Sequence, residues 1–160
     1  MAPSRPVPSF LAPFVKLMEG FKPVANLDPD GYGQLGYGHK LGPTDPLRGE
    51  TLDEAAASGL LASDLDLEAC LFIAVCPPDI LAALSDGQYA ALVDFVYNEG
   101  VGQYRTSHLR QLVESRQWAD VPAELMRWVY GSGRQLPGLV NRRTVEGQMW
   151  TGGYPQTRAQ

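Results

Sequence analysis

Six glycines lie within residues 20–42, at positions 20, 31, 33, 36, 38 and 42, and they constrain the fold more than any other feature of the chain. Glycine destabilises the interior of a helix and readily takes a positive φ, so one continuous helix through this segment is excluded. The run Asp28-Pro29-Asp30-Gly31 has the residues of a tight turn. The segment therefore predicts a small β-hairpin.

Helical signals surround this hairpin. An apolar stretch before it predicts a short helix that Gly20 ends, with Glu19 in the last turn. The runs Thr51–Glu54 and Ser85–Gln88 have the form of capping boxes and predict two further helices, and the second of these is apolar on almost every side, as a buried helix is. Other helices are predicted to begin near Thr106, Trp118 and Pro137.

The predicted fold class is therefore α+β, in one domain of 160 residues. Residues 9–50 should form a small N-terminal lobe with the helix and the hairpin, and residues 51–150 a larger helical lobe whose core holds Trp118, Trp128 and Trp150. A cleft between two such lobes suits an extended substrate. The polar and Pro-rich ends, residues 1–8 and 152–160, are predicted to be disordered.

The two cysteines, Cys70 and Cys76, are predicted to be buried free thiols rather than a disulfide, because no secretory signal is visible at the N-terminus. Two thiols do not make a zinc site, and neither His39 nor His108 has a metal-ligand spacing from them, so no metal is expected. No apolar run approaches the roughly 20 residues of a membrane-spanning helix, so we expect no membrane insertion.

Charge is distributed unevenly along the chain. Residues 1–100 hold 5 Lys or Arg against 14 Asp or Glu, whereas residues 101–160 hold 8 Arg against 4 acids. The basic C-terminal part is suited to an anionic polymer, although scattered solvated charges give the same count. The net charge of −5 and the absence of a nucleic-acid-binding motif argue against a nucleic-acid partner.

Glu19 and Asp28 are candidates for the two carboxyl groups of a glycoside hydrolase. That reaction needs an acid that protonates the leaving oxygen and, usually, a carboxylate that activates water or attacks the sugar. Glu19 faces the carbonyl end of a helix, which disfavours a further negative charge, whereas Asp28 lies in a polar loop. Taken alone, a Glu at a helix end and an Asp in a turn are ordinary surface residues in most proteins, and their spacing by itself leaves catalysis the less favoured interpretation.

The spacing of the surrounding motifs is more specific. Asp28 follows Glu19 by nine residues, Gly31 comes three residues later, and Gly36-Tyr37-Gly38-His39 begins seventeen residues after Glu19. With these motifs in this order and at this spacing, without a gap, the sequence resembles the phage-type lysozymes and endolysins of glycoside hydrolase family 24. The resemblance covers most of residues 10–150 and continues through Tyr97–Gly102, Arg127-Trp128 and Leu136–Arg143.

The resemblance implies a lysozyme-like fold and hydrolysis of the β-1,4 bond between N-acetylmuramic acid and N-acetylglucosamine, commonly with inversion and without a cofactor. Glu19 is then the proton donor, and Asp28 positions and activates water. The family's Thr, six residues after the Asp, is replaced by Gln34, which is longer but has both donor and acceptor groups. Three outcomes stay open: the same chemistry, retention or lytic transglycosylation, or a glycan-binding module that cuts poorly.

The resemblance also implies roles for supporting residues. His39 should be structural rather than catalytic and should pair with Asp64. Tyr97, Asn98 and His108 should contact the glycan, although Tyr97 also fits a place in the core.

Arg142 and Arg143 match the family's Asn-Arg-Arg form. Either one of them reaches Glu19 and steadies the cleft, or both lie on a solvated helix face.

For the whole protein, the resemblance implies phage or prophage host lysis by a monomer with bacterial peptidoglycan as its substrate. The enzyme would be made in the host cytoplasm and would reach periplasmic or cell-wall peptidoglycan through holes that a holin forms in the membrane.

Overall fold

The structure is a computed structural model that describes residues 2–154. The chain divides into two compact units: the sheet unit, Ala12–Leu65, and the helical unit, Met1–Leu11 with Asp66–Gln160. The sequence placed the change from the hairpin lobe to the helical lobe near residue 51, and the units divide between Leu65 and Asp66, inside a helix.

A helix and a three-stranded antiparallel sheet begin the sheet unit. Helix α1 spans Leu11–Glu19, and the strands are β1 (Lys22–Leu27), β2 (Gly33–Gly36) and β3 (His39–Leu41), in the order β1-β2-β3. Gly20 ends α1 as predicted, because its φ of +68° is favourable for glycine and its N–H donates to Lys16 O at 3.0 Å. The predicted hairpin is β1 with β2, and β3 extends it by pairing with β2.

Helix α2 (Glu54–Val75) begins three residues later than the predicted capping box at Thr51. The backbone of Thr51 forms a β-bridge with Val24, so it does not start a helix. The Asp53 carboxylate instead accepts the Ala56 N–H at 2.7 Å, which is the bond of an N-cap residue. The prediction of a helix here is confirmed, and its cap is Asp53.

Within the described residues, the helical unit contains six further α-helices, a short 3-10 helix at Trp118–Asp120 and a small hairpin. The helices are α3 (Pro78–Ala83), α4 (Asp86–Glu99), α5 (Val101–Thr106), α6 (His108–Glu114), α7 (Val121–Leu125) and α8 (Pro137–Thr151), and the hairpin is β4 (Tyr130–Gly131) with β5 (Arg134–Gln135). The capping box at Ser85 and the proline at the start of α8 are confirmed. The helix starts predicted near Thr106 and Trp118 are also confirmed, since Ser107 caps α6 and a 3-10 helix begins at Trp118.

Helix α4 is the buried helix that the sequence predicted, and every residue from Tyr89 to Tyr97 is buried. Phe95 on this helix meets the Trp128 ring edge to face, with ring centroids 5.0 Å apart. Trp150 is buried, whereas Trp118 and Trp128 are half-buried, and the Trp150 indole N–H donates to Trp118 O at 2.8 Å. The predicted aromatic core of the helical unit is therefore present, with two of its tryptophans at its edge.

The N-terminal segment is ordered, and the prediction of disorder for residues 1–8 is wrong where the structure describes them. Arg5 donates to Leu81 O at 2.8 Å and lies over the Tyr89 ring, 4.6 Å from its centroid. At the other end, Phe10 packs on Tyr154, with ring centroids 5.8 Å apart. Residues 155–160, also predicted to be disordered, lie outside the described residues.

Two smaller predictions concern the thiols and the membrane. Cys70 and Cys76 form no disulfide, as predicted; Cys76 is buried as expected, whereas Cys70 is only half-buried. Among residues 2–154, no helix has both the length and the apolar character that crossing a membrane requires.

Candidate active site

Asp28 lies directly after β1, at the start of a turn whose geometry is fixed by three hydrogen bonds. Its N–H donates to Tyr32 O at 2.8 Å, its carbonyl accepts the Gly31 N–H at 3.0 Å, and its carboxylate Oδ1 accepts the Tyr32 N–H at 2.8 Å. Gly31 takes a φ of +83°, and a Cβ at this position would lie 2.9 Å from Nη2 of Arg48. The turn residues therefore hold the Asp28 carboxylate in one orientation.

An open groove of about 620 Å³ lies beside this turn. Asp28 and Gln34 both line it, so the structure brings two of the three predicted catalytic residues together. The complete lining consists of Lys22, Asn26, Leu27, Asp28, Tyr32, Gly33, Gln34, Lys40 and Leu41. Its polar atoms are mostly amide and ammonium groups, with Asp28 as the one carboxylate among these nine residues.

The strand register explains why these side chains meet. Gln34 on β2 is opposite Asn26 on β1 and Lys40 on β3, so these three residues form one row across the sheet. Because side chains alternate between the faces of a strand, Asp28, two residues after Asn26, shares that face. The Lys22 ammonium also reaches this face and donates to the carboxamide oxygen of Gln34.

Glu19 is the last residue of α1 and precedes Lys22, the first residue of β1, by three positions. It belongs to the same compact unit as Asp28 and Gln34. The nine residues that line the groove do not include it. The structure thus places Glu19 at the helix end that the sequence predicted, one glycine-containing turn before the strand that leads to Asp28.

His39 and Asp64 are adjacent in the sheet unit. The His39 Nδ1 atom lies 2.9 Å from Asp64 Oδ2 and 3.0 Å from Oδ1, and its Nε2 lies 3.6 Å from Asp45. Burial raises the pKa of the Asp64 carboxyl above its ordinary value, while the His39 contact acts in the opposite direction. The pair links β3 to α2, the geometry expected of a structural histidine.

The three predicted glycan-binding residues all lie in the helical unit. Tyr97 is 7% exposed and packs beneath Arg142, whose guanidinium carbon is 5.8 Å from the ring centroid. The Asn98 carboxamide oxygen accepts a hydrogen bond from Arg143. The His108 side chain is 52% exposed, and its Nδ1 lies 2.9 Å from Glu124. Of the three, His108 is the one with a largely open side chain.

Arg142 and Arg143 are 4% and 0% exposed, so the solvated-face alternative is wrong for both. Arg142 on α8 donates to Asp94 on α4, and Arg143, also on α8, donates to Asn98 and Glu99 on α4 and to Glu146 on its own helix. A guanidinium has five N–H donors, which suits it to a buried position among several acceptors. These arginines hold α8 against α4.

The sequence analysis did not identify the groove residues Lys22, Asn26, Tyr32 and Lys40. Alternation back along β1 from Asp28 would have placed Asn26 on its face, and alternation back from Gln34 on β2 would have placed Tyr32 on the face of Gln34. Lys22, six positions before Asp28, has the same parity, but its contact with Gln34 could not be predicted, because the pairing of β1 with β2 shifts register between Lys22 and Asn26.

The chain is similar to known proteins over most of its length. The family model for phage lysozyme matches residues 16–146. The SAR-endolysin of bacteriophage PS119 is 33% identical over 129 residues, which cover 81% of this chain and 74% of that protein. The endolysin of Bacillus phage PZA is 30% identical over 122 residues, which cover 76% of this chain but only 45% of that longer protein.

Solved structures show the same fold. The muramidase domain of SpmX from Asticaccaulis excentricus has a TM-score of 0.77 at 23% identity, covering 90% of this chain and 96% of that one. The endolysin from Escherichia coli O157:H7 phage FAHEc1 has a TM-score of 0.74 at 20% identity, covering 94% and 96%. The predicted lysozyme-like α+β fold and the enzyme class, a lysozyme-type glycoside hydrolase, are confirmed. This chain belongs to the phage lysozyme family.

Proposed function

We propose that this chain hydrolyses the β-1,4 bond between N-acetylmuramic acid and N-acetylglucosamine in bacterial peptidoglycan, with Glu19 as proton donor and Asp28 as the carboxylate that activates water. The observation that carries the proposal is the Asp28 carboxylate, held by the Tyr32 N–H on the wall of an open groove. A general base must be fixed and accessible, and this one is both.

The two carboxyl groups have different surroundings. Asp28 lines a groove whose wall also contains the lysines Lys22 and Lys40. Glu19 terminates α1, one strand earlier in the same unit. Glu19 precedes β1 along the chain and Asp28 follows it, and an inverting glycosidase uses one carboxylic acid and one carboxylate base.

In the proposed hydrolysis, one proton leaves the water and one proton reaches the leaving oxygen. Asp28 accepts a proton from water as the water oxygen bonds to the anomeric carbon, and Glu19 protonates the glycosidic oxygen as its bond to that carbon breaks. Direct displacement by water inverts the anomeric configuration. Gln34 lines the groove together with Asp28, which supports a role beside the attacking water.

The role in the cell follows from the family. Relatives named endolysin and SAR-endolysin support an enzyme of phage host lysis that acts on the cell wall. We expect a monomer that is made in the host cytoplasm and reaches the peptidoglycan through holin holes. Tyr97, Asn98 and His108 stay predictions as glycan-binding residues.

Mass spectrometry of peptidoglycan digested by the purified protein tests the proposed bond and reaction together. Soluble fragments with N-acetylmuramic acid at the reducing end are expected. Fragments that end in 1,6-anhydromuramic acid would identify a lytic transglycosylase, and binding to peptidoglycan without soluble fragments would identify a glycan-binding module. NMR of the new reducing end, recorded before mutarotation, should show the α-anomer if water inverts the centre.

A further inference from the structure

The Lys22 and Gln34 side chains form a hydrogen bond across the groove wall. Lys22 begins β1, Gln34 lies in β2, and the Lys22 ammonium donates to Oε1 of Gln34. An ammonium group has donors and no acceptor, so the carboxamide atom that meets it must be the oxygen. The contact therefore fixes the orientation of the Gln34 amide, with Nε2 on the side away from Lys22.

Gln34 lies within reach of the water that Asp28 would activate. The Asp28 N–H bonds to Tyr32 O, so Asp28 is opposite Tyr32, and Gln34 is two residues further along β2. Diagonal neighbours of this kind are roughly 7–8 Å apart at the backbone, a distance that a long side chain spans. Both side chains line the same groove, so they point to the same face of the sheet.

One carboxylate oxygen of Asp28 is engaged and the other is available. Oδ1 accepts the Tyr32 N–H at 2.8 Å. Within residues 2–154, no second hydrogen bond holds Oδ2. Because Oδ1 is tied to the backbone, Oδ2 is the oxygen that can accept a proton from water.

We propose that Lys22 is a positioning residue: by holding the Gln34 oxygen, it presents the Gln34 amide nitrogen as a donor to the water that Asp28 activates. The inference rests on the proposed hydrolysis. The water would donate one proton to Asp28 and accept an N–H from Gln34, and its second lone pair would form the bond to the anomeric carbon. Gln34 thus fills the place of the family's Thr through its N–H groups.

A double-mutant cycle tests whether Lys22 acts through Gln34. The kcat and KM for release of reducing ends from peptidoglycan are measured for the wild type, Lys22→Met, Gln34→Thr and the double variant. Lys22→Met should lower kcat about tenfold with little change in KM, because the side-chain amide of Gln34 can then rotate and present its oxygen instead of its nitrogen. The same substitution in the Gln34→Thr background should lower kcat less than about twofold, since no carboxamide is left to orient. Equal losses in both backgrounds would overturn the proposal.

Lys16→Met is the matched control. Lys16 is also a half-buried lysine of the sheet unit, and its ammonium donates to Ser58 Oγ at 2.7 Å, so it tests the loss of a lysine hydrogen bond away from Gln34. It should leave kcat unchanged. Lys22→Arg keeps a donor and should recover most of the rate, whereas a rate as low as that of Lys22→Met would contradict the proposal. Thermal unfolding identifies any variant that is not folded, and Lys22→Leu, which also has no donor, then replaces Lys22→Met.

NMR tests the Lys22–Gln34 contact independently of activity. The side-chain amide signals of Gln34, assigned by their loss in Gln34→Thr, should shift in Lys22→Met and stay in place in Lys16→Met. Unchanged signals in Lys22→Met would overturn the proposal, whatever the rates. A wild type that releases no reducing ends would instead refute the proposed hydrolysis, so the two failures are distinguishable.

Discussion

Arg142 donates two hydrogen bonds to the Asp94 carboxylate, from Nε at 2.9 Å and from Nη2 at 2.8 Å, with side chains that are 5% and 0% exposed. Removing one charge of a buried pair leaves the other uncompensated, so Asp94→Asn should lower the free energy of unfolding by about 3–5 kcal/mol. Urea unfolding measures the loss. Asp86→Asn, at the exposed start of the same helix, should lose no more than about 1 kcal/mol. Similar losses of unfolding free energy in Asp94→Asn and Asp86→Asn would contradict the stabilising role of the buried Arg142–Asp94 pair.

Glu146 is the carboxyl group of this cluster that we expect to be protonated. Burial raises its pKa well above the ordinary value and Asp94 raises it further, although Arg143 lowers it. Burial acts to raise the pKa of Asp94 as well, but Arg142 holds that pKa below its usual range. Among the described residues, the buried Oε2 of Glu146 has no hydrogen-bond partner if it is ionised. A proton on Oε2, donated to Asp94, would satisfy it.

The stability of the protein should therefore fall as pH rises. A folded-state pKa above the unfolded value means that the native state binds the proton more tightly, and this contribution is lost as pH rises from the unfolded value of 4.5 through the raised pKa. Glu146→Gln keeps a donor for Asp94 and cannot ionise. Melting temperatures from about pH 5 to about pH 9 should fall more steeply for the wild type than for Glu146→Gln. Parallel curves would show that Glu146 is ionised throughout.

Gly31 should matter for both stability and rate. Its φ of +83° is strained for any residue with a Cβ, so Gly31→Ala should destabilise the protein by about 1–2 kcal/mol. It should also lower kcat, because Gly31 shapes the turn that holds Asp28. Gly59→Ala, inside α2 with no atom within 4 Å of the added Cβ, should instead stabilise by about 0.5–1 kcal/mol and leave kcat unchanged. A destabilised Gly31→Ala with wild-type kcat would separate the turn from catalysis.

Arg5 should stabilise the helical unit. Its guanidinium donates to Leu81 O at 2.8 Å and to Asp86 at 2.8 Å, and it covers the Tyr89 ring. Arg5→Ala should therefore lower the free energy of unfolding by about 1–2 kcal/mol. The control is Arg105→Ala, at an exposed position of α5, which should change stability by less than about 0.5 kcal/mol. If chemical unfolding gave both variants the same stability, the N-terminal segment would contribute nothing.

Local signals were sufficient to predict much of the fold. The Ser85 capping box, the helix stop at Gly20 and the proline at the start of α8 act through neighbouring backbone groups, and all three are as predicted. Thr51 shows the limit of such signals. Its sequence context is that of a cap, but a β-bridge to Val24, 27 positions earlier in the chain, occupies its backbone. Arg5 shows the same limit, since a Pro-rich end is ordered by residues far along the sequence.

The site was predictable where it depended on motif spacing and not where it depended on register. The spacing of Glu19, Asp28 and the Gly-Tyr-Gly-His loop indicated the family. The contact of Lys22 with Gln34 depends on a register shift in the pairing of β1 with β2, and no residue pattern in β1 predicts that shift. The burial of Arg143 likewise follows from acceptors on two helices, Glu99 on α4 and Glu146 on α8.

Glu19 is the proposed proton donor, and the rate at which Glu19→Gln releases reducing ends from peptidoglycan measures its contribution. The variant keeps the shape of the side chain and removes the ionisable group, so the rate should fall at least about 100-fold with the melting temperature retained. Glu50→Gln, at an exposed glutamate of the same unit, should keep the wild-type rate. A folded Glu19→Gln protein that cuts peptidoglycan at the wild-type rate would show that Glu19 is not the proton donor.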